Sequence, residues 1–420
     1  MKKIFLSFIL FAIFSFSYSQ KIDENKVSFE YVQYPLEPIS KDITNYTTKV
    51  VQAYEPSVKA QKDAYKQQVK DANDKYNADM VDYNKKVAEA DAKYNADMAA
   101  YNQKTLKEKV VEKDLLNEKK PQKQMPSLPS KTVPAEGHYQ KLFTPEVLAS
   151  GIKLEGFKNL PTNAVTITIT MAGFEMLEPE PKSNISTRTE NGVSSQVTQY
   201  YYLISYRHTM GVKVEVPGKG VVLDEMPAKL AEYKTAQTPG FYSDAELSYY
   251  WNNVNTQNTF VTSLEEKAVK DNFDYIAGYL NDKYGYLKVK REIEVNVVKE
   301  HEGLNYDDYQ QAYEAAIAGL NQLTTSKDQA ALNLTKASEI WEAAMKESKP
   351  HEKKARVNEK VTIATLENLA EVYIWLNRFS DSEAAMDKLA ASDLSHKDKK
   401  ELEKNRELMN SQKTRYEAIK

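Results

Sequence analysis

Lys75-Tyr76-Asn77-Ala78-Asp79-Met80 recurs as Lys93-Tyr94-Asn95-Ala96-Asp97-Met98, an offset of 18 residues, and 18 residues are five turns of a 3.6-residue helix. Around the two copies, tyrosines fall at Tyr54, Tyr65, Tyr76, Tyr83, Tyr94 and Tyr101, with spacings of 11, 11, 7, 11 and 7. Eleven residues make three turns and seven make two, so all six lie on one face. Four residues after each comes Val58, Val69, Met80, Val87, Met98 and finally Thr105. A tyrosine with an apolar residue one turn later forms a continuous stripe. A strict heptad would coil to the left and an 11-residue repeat to the right, so alternating the two predicts a nearly straight helix.

The run 57–119 contains no Gly and no Pro, Pro56 stands at the first turn, and Pro121 ends it. Continuous helix over that span is about 90 Å long. Acid-first pairs Asp71/Lys75, Asp82/Lys86 and Glu89/Lys93 support it, each by a few tenths of a kcal/mol. So narrow a stripe needs cover. Packing against another helix of the same chain or against the returning linker, and self-association, both fit for Tyr65, Tyr76, Tyr83, Tyr94 and Tyr101. Residues 120–137 follow as a linker whose Pro121, Pro126, Pro129 and Pro134 favour an extended polyproline form.

Strand signals flank the rod. Segments 27–34 and 46–52 precede it. Val165, Ile167, Ile169 and Met171 alternate with threonines, and Tyr200, Tyr202, Ile204 and Tyr206 share a face. Val212, Val214 and Val216 lead into Pro217-Gly218-Lys219-Gly220, the tip of a hairpin. Residues 287–297 give a last strand. Ser263 and Glu266 read as a capping box opening a helix that Gly285 stops. Residues 180–191 lack periodicity and read as a loop. The fold class expected is α+β: a β-rich domain interrupted by a long straight helix, followed by an all-α repeat or bundle. By segment, 20–56 holds the N-terminal strands of the β-rich domain, 57–119 the long helix, 138–300 the main α+β domain and 301–420 the helical region.

Beyond residue 305 strand signals vanish and amphipathic helices follow one another with short connections. Leu369, Ala370, Tyr373, Phe379, Ser382 and Met386 here resemble a tetratricopeptide repeat, with Ala370 at the usual glycine and Ser382 at the usual alanine. The match covers about 30 residues, and the family's proline after the second helix is absent. The resemblance implies partner-binding helices around Leu369, Tyr373 and Phe379.

Residues 1–19 read as a cleavable export signal: Lys2 and Lys3, an apolar run 4–16, then Ser17-Tyr18-Ser19 before Gln20. The chain carries no cysteine, so an exported form holds no disulfide and no lipidated thiol. The short signal, the Gln after it and the Tyr, Asn and Lys usage resemble exported Bacteroidota proteins. The destination expected is the periplasm, with the extracellular space as the alternative. The formal charge of −3 argues against nucleic acid as a partner, and the mean hydropathy of −0.64 suits long exposed helices. No later stretch reads as a membrane span.

Chemistry is sparse. His138, His208, His301, His351 and His396 are scattered and fit no metal-binding spacing. No nucleophile elbow, phosphate-binding loop or dinucleotide fingerprint appears, so neither an enzymatic activity nor a cofactor is expected. Tyr242, Tyr249 and Trp251 form one cluster of aromatics that could stack on sugar rings. The function expected is a non-enzymatic envelope scaffold with a protein partner or a second copy of itself. A glycan or peptidoglycan binder is the runner-up, and a hydrolase with a composite site the third reading.

Overall fold

The computed structural model describes residues 20–105, 107, 109, 120–190, 192–299 and 303–420. The expected export signal, His301 and the stretch 110–119 of the expected rod lie outside the described residues. The chain is α+β: a sheet-rich first half carrying one long helix, then a run of helices.

Among the described residues the larger sheet has seven strands, with β3 (Lys158–Asn159), β2 (Asn45–Gln52), β4 (Ala164–Met176), β6 (Val193–Val216) and β5 (Glu180–Glu190) in spatial order. Two more strands, β7 (Gly220–Glu225) and β8 (Lys234–Gln237), also pair with β6. β2 and β4 run parallel, and parallel neighbours require a long crossover. That crossover contains α1 (Glu55–Gln103), the proline-rich return and α2 (Pro145–Gly151). The alternation in β4 does what the sequence implies: Val165, Ile167, Ile169 and Met171 are fully buried. They pack under α5 (Val254–Tyr284), which contributes Val269, Phe273, Ile276 and Leu280. The short helices α3 (Ala228–Ala231) and α4 (Asp244–Asn252) complete this half.

Several expectations are corrected. The helix α1 ends at Gln103, where Lys104 turns extended at φ −70° and ψ 141°; Lys107 and Lys109 are helical again, and the rest of the expected rod, 110–119, lies outside the described residues. The break is confined to Lys104, since the Thr105 carbonyl already accepts from the Lys109 amide at 3.0 Å. Residues 180–190 form β5 and not a loop. Their side chains are largely exposed on both faces, so no alternation marks a strand that backbone pairing with β6 creates. The segments read as separate strands at 197–206 and 212–216 are one strand, β6. Ser263 does not cap a helix. α5 begins ten residues earlier, where the Asn253 side chain accepts from the amides of Asn255 and Thr256, and the Ser263 hydroxyl donates to the Phe260 carbonyl.

The largest departure concerns β1 (Ile22–Gln33) and β9 (Leu287–Val298). Both read as strands of the β-rich domain. They pair antiparallel with each other over their full lengths, as a separate two-stranded ribbon. Val27, Phe29, Tyr31, Val295 and Val298 share a core with the helices that follow. These are α6 (Asp307–Asn321), α7 (Lys327–Met345), α8 (Glu359–Trp375), α9 (Phe379–Ala390) and α10 (His396–Ala418). An isolated ribbon is marginal in water; here one face is closed by helices.

Candidate functional site

The rod comes first. Val58 is the one buried residue of α1, so beyond its root the helix stands clear of the body. At 49 residues it is about 74 Å long. Tyr65, Tyr76, Tyr83, Tyr94 and Tyr101, with Val69, Met80, Val87 and Met98, are nevertheless half-buried, while most residues between them are exposed. The cover comes from the same chain. Lys123 pairs with Asp91, the Tyr65 hydroxyl donates to the Pro134 carbonyl at 3.4 Å, and Lys62 lies 5.6 Å from the Tyr139 ring centroid. The proline-rich segment therefore runs back along α1 towards its root. Tyr65 and Asp91 are about 39 Å apart along a helix axis. Lys123 and Pro134 span about 34 Å in polyproline geometry. The two lengths match, so residues 120–137 form an extended strap on the tyrosine face.

The strap is fixed firmly where it re-enters the body. Gln140 donates to the Phe174 carbonyl (3.0 Å) and accepts from the Phe174 amide (2.9 Å). Gln52 makes the same paired bonds with Phe143 (2.9 and 2.8 Å). Each glutamine amide thus replaces a strand neighbour. Gly173, at φ +122°, sits against the Gln140 side chain where β4 bulges. The Tyr54 hydroxyl donates to the Lys141 carbonyl at 2.7 Å. The Lys141 amide donates to buried Glu265 (3.2 Å), and His138 lies 3.6 Å from the same carboxylate. His208 is buried nearby against Tyr54, 5.7 Å between ring centroids, and burial lowers its pKa to about 4.

Leu369, Tyr373 and Phe379, expected on partner-binding helices, are all buried. Leu369 and Tyr373 belong to the core shared with the ribbon, and Phe379 packs on Tyr416 of α10. Tyr373 also donates to Glu342 of α7 (2.8 Å). Ser382 donates to the Ala370 carbonyl (2.7 Å), so the two small residues of the repeat-like pattern mark a close crossing of α8 and α9. Asn377, at φ 58°, makes the turn between them. These residues hold the helices together.

A cleft of about 280 Å³ lies between the ribbon, α8 and α10. On its wall Arg291 forms a forked pair with Glu371 (2.9 and 2.7 Å) and reaches Asn405 (2.8 Å). Trp375 donates to the same Glu371 (2.9 Å). Burial works against the charge on Arg291, but Glu371 holds its pKa above the ordinary value. Asn296 donates to Glu367 (2.7 Å). Burial raises Glu367 to about 7; Asn296 works against this, while Asp398, Glu24 and Glu294 add to it. The cleft thus holds a carboxyl group that exchanges its proton near neutrality beside an arginine already spent on a carboxylate. Sequence reading missed it, because Arg291, Glu367, Glu371 and Asn405 come from three separate elements.

The aromatic cluster divides. Trp251 packs on Tyr202 and Phe260, at 5.6 and 6.3 Å between centroids. Tyr242 and Tyr249 are 49% and 76% exposed. Beside them Tyr250 and Phe260 line a shallow groove with Thr256, Thr259 and Ser263. Among the described residues, no helix is long and apolar enough to cross a membrane, and no three His, Asp or Glu side chains are grouped to hold a metal ion. No protein-family model, no curated protein and no solved structure matches this chain.

Proposed function

We propose that this chain is an exported, non-enzymatic protein of the cell envelope that works as a scaffold: the body anchors, and the strapped rod reaches out to a protein partner or a second copy. The observation that carries this reading is a helix of 49 residues with one buried residue, at its root, and a stripe covered by its own chain. Such an arm spends sequence on reach, not on a pocket. The ribbon and helices act as a base, since their apolar faces are already closed.

A photo-crosslinking residue placed at Val81, exposed on the rod, tests this in the native envelope, with Leu332, exposed on the base, as the control position. Discrete adducts with envelope proteins from position 81 and none from 332 support the scaffold. Equal adducts from both, or none from either, overturn it.

The exposure of Tyr242 and Tyr249 supports the second reading, glycan binding. If that reading holds, the chain sediments with purified peptidoglycan, and the double variant Tyr242→Ala, Tyr249→Ala does not. Unchanged sedimentation in the variant removes this reading.

A further inference from the structure

We propose that the tyrosine face of α1 is a polyproline-binding surface, that residues 121–134 are its resident ligand, and that the same face takes a proline-rich, lysine-bearing strand from a partner protein when the strap lifts. This deepens the scaffold reading, on which its biological use rests, by naming the chemistry of the partner.

The strap shows how the surface reads its ligand. A polyproline strand has three residues per turn and so three edges. Pro126 and Pro129 share one, Met125 and Leu128 a second, Ser127 and Ser130 the third. Pro126 and Pro129 are half-buried, whereas Met125, Leu128 and both serines are exposed. Over 125–130, burial therefore falls on the edge that carries Pro126 and Pro129. Pro121 is half-buried too, but it stands five residues from Pro126 and so on another edge; within 121–137 cover falls on Pro121, Pro126 and Pro129, while Pro134 is exposed.

The chemistry of the face suits that ligand. Proline has no N–H, so a proline-rich strand offers carbonyl acceptors and flat apolar rings. The tyrosines supply rings for the second and hydroxyl donors for the first, as the bond from Tyr65 to the Pro134 carbonyl shows. Asp91 takes the lysine at the far end and sets direction. A polyproline strand is already extended in solution, so it loses little entropy on docking. No strand ladder fastens the strap over 120–137, which makes exchange feasible. Its covalent tether supplies an effective concentration in the millimolar range, so a partner strand must outcompete it or arrive when it is loosened.

The test uses the full chain with Lys123→Glu, Pro126→Ser and Pro129→Ser, and a synthetic peptide of the native sequence 120–135 carrying a fluorophore. Anisotropy should show at least about tenfold tighter peptide binding by this variant than by the unaltered chain, whose own strap competes. Adding Tyr76→Lys and Tyr83→Lys should abolish the gain. A strap variant that keeps its helical circular dichroism and binds no tighter than the unaltered chain overturns the proposal, as does binding that survives the tyrosine changes. If the strap variant loses helix, hydrogen exchange decides. Strap amides between 122 and 133 should exchange faster in the Tyr76→Lys, Tyr83→Lys chain than in the unaltered one, with β4 unchanged, and equal rates overturn the proposal. Peptide binding without envelope adducts from position 81 would sink the scaffold reading and leave this surface standing; adducts without peptide binding would do the reverse.

Discussion

Arg415, in the last helix, donates to the main-chain carbonyl of Asp282 at 3.1 Å and pairs with the carboxylate of the same residue. A second bond from Arg415 reaches the Tyr34 carbonyl at 2.8 Å. Asp282 lies at the end of α5 just before β9, and Tyr34 just after β1. One buried guanidinium therefore ties the C-terminal helix to both places where the chain passes between sheet and ribbon.

Replacing Arg415 by Met leaves those acceptors without their donor. Asp282 is partly exposed and regains water, so the expected loss is about 2–3 kcal/mol, the range for hydrogen bonds to a charged group. Lysine should recover only part of it, because one ammonium cannot reproduce the planar fork. Urea unfolding measures both. A Met variant within about 0.5 kcal/mol of the parent would show that the clamp is idle.

Glu367 and His208 give the stability opposite pH slopes. Glu367 holds a folded pKa of about 7, above its ordinary 4.5. Its protonated form favours the fold below 4.5, and that contribution fades as pH rises towards 7. His208, lowered to about 4 from 6.5, favours the fold above 6.5 and loses that contribution as pH falls towards 4. Between 4.5 and 6.5 the two oppose each other; from 6.5 upwards, of these two, Glu367 alone is felt. In Glu367→Gln the thermal midpoint should therefore be flatter between pH 6 and 8, and higher at pH 8. A midpoint profile parallel to the parent's would rule this out.

Gly319 lets α6 approach α7. A Cβ there would lie 2.6 Å from the Leu334 side chain and 3.0 Å from the Ala330 carbonyl. Alanine normally gains about 1 kcal/mol over glycine inside a helix, yet Gly319→Ala should cost about 1–3 kcal/mol through overpacking. Combining it with Leu334→Ala should cost less than the two single losses added together. Strict additivity, read by denaturant unfolding, would mean the two positions do not meet.

Gln140→Ala removes both bonds to Phe174 and leaves its amide unpaired, a loss of about 1–3 kcal/mol. Because Gln140 lies at the root of the strap, the cost should appear there first. Limited proteolysis at Lys123 or Lys131 should accelerate severalfold while cleavage within the sheet does not. Unchanged cleavage at those lysines would separate the root from the strap.

The rod, the hairpin at Gly218, the alternating strand of β4 and the train of C-terminal helices were all legible in the sequence. Each is written in a local signal, a period of two or 3.6 residues or a glycine-bearing turn, that needs no distant partner to be read. The tyrosine stripe was legible for the same reason, and its return cover was among the readings it allowed. Which elements pair with which came from packing across the whole chain. β5 carries no apolar face, so only its pairing with β6 makes it a strand. β1 and β9 have ordinary alternation, and nothing in it says that they leave the large sheet to pair with each other on helices. Leu369, Tyr373 and Phe379 fit a binding pattern and a core pattern equally well, because both require the same apolar spacing. Arg291 with Glu371, and Arg415 with Asp282, join residues far apart in the chain; such contacts are fixed by packing, which local periodicity does not encode.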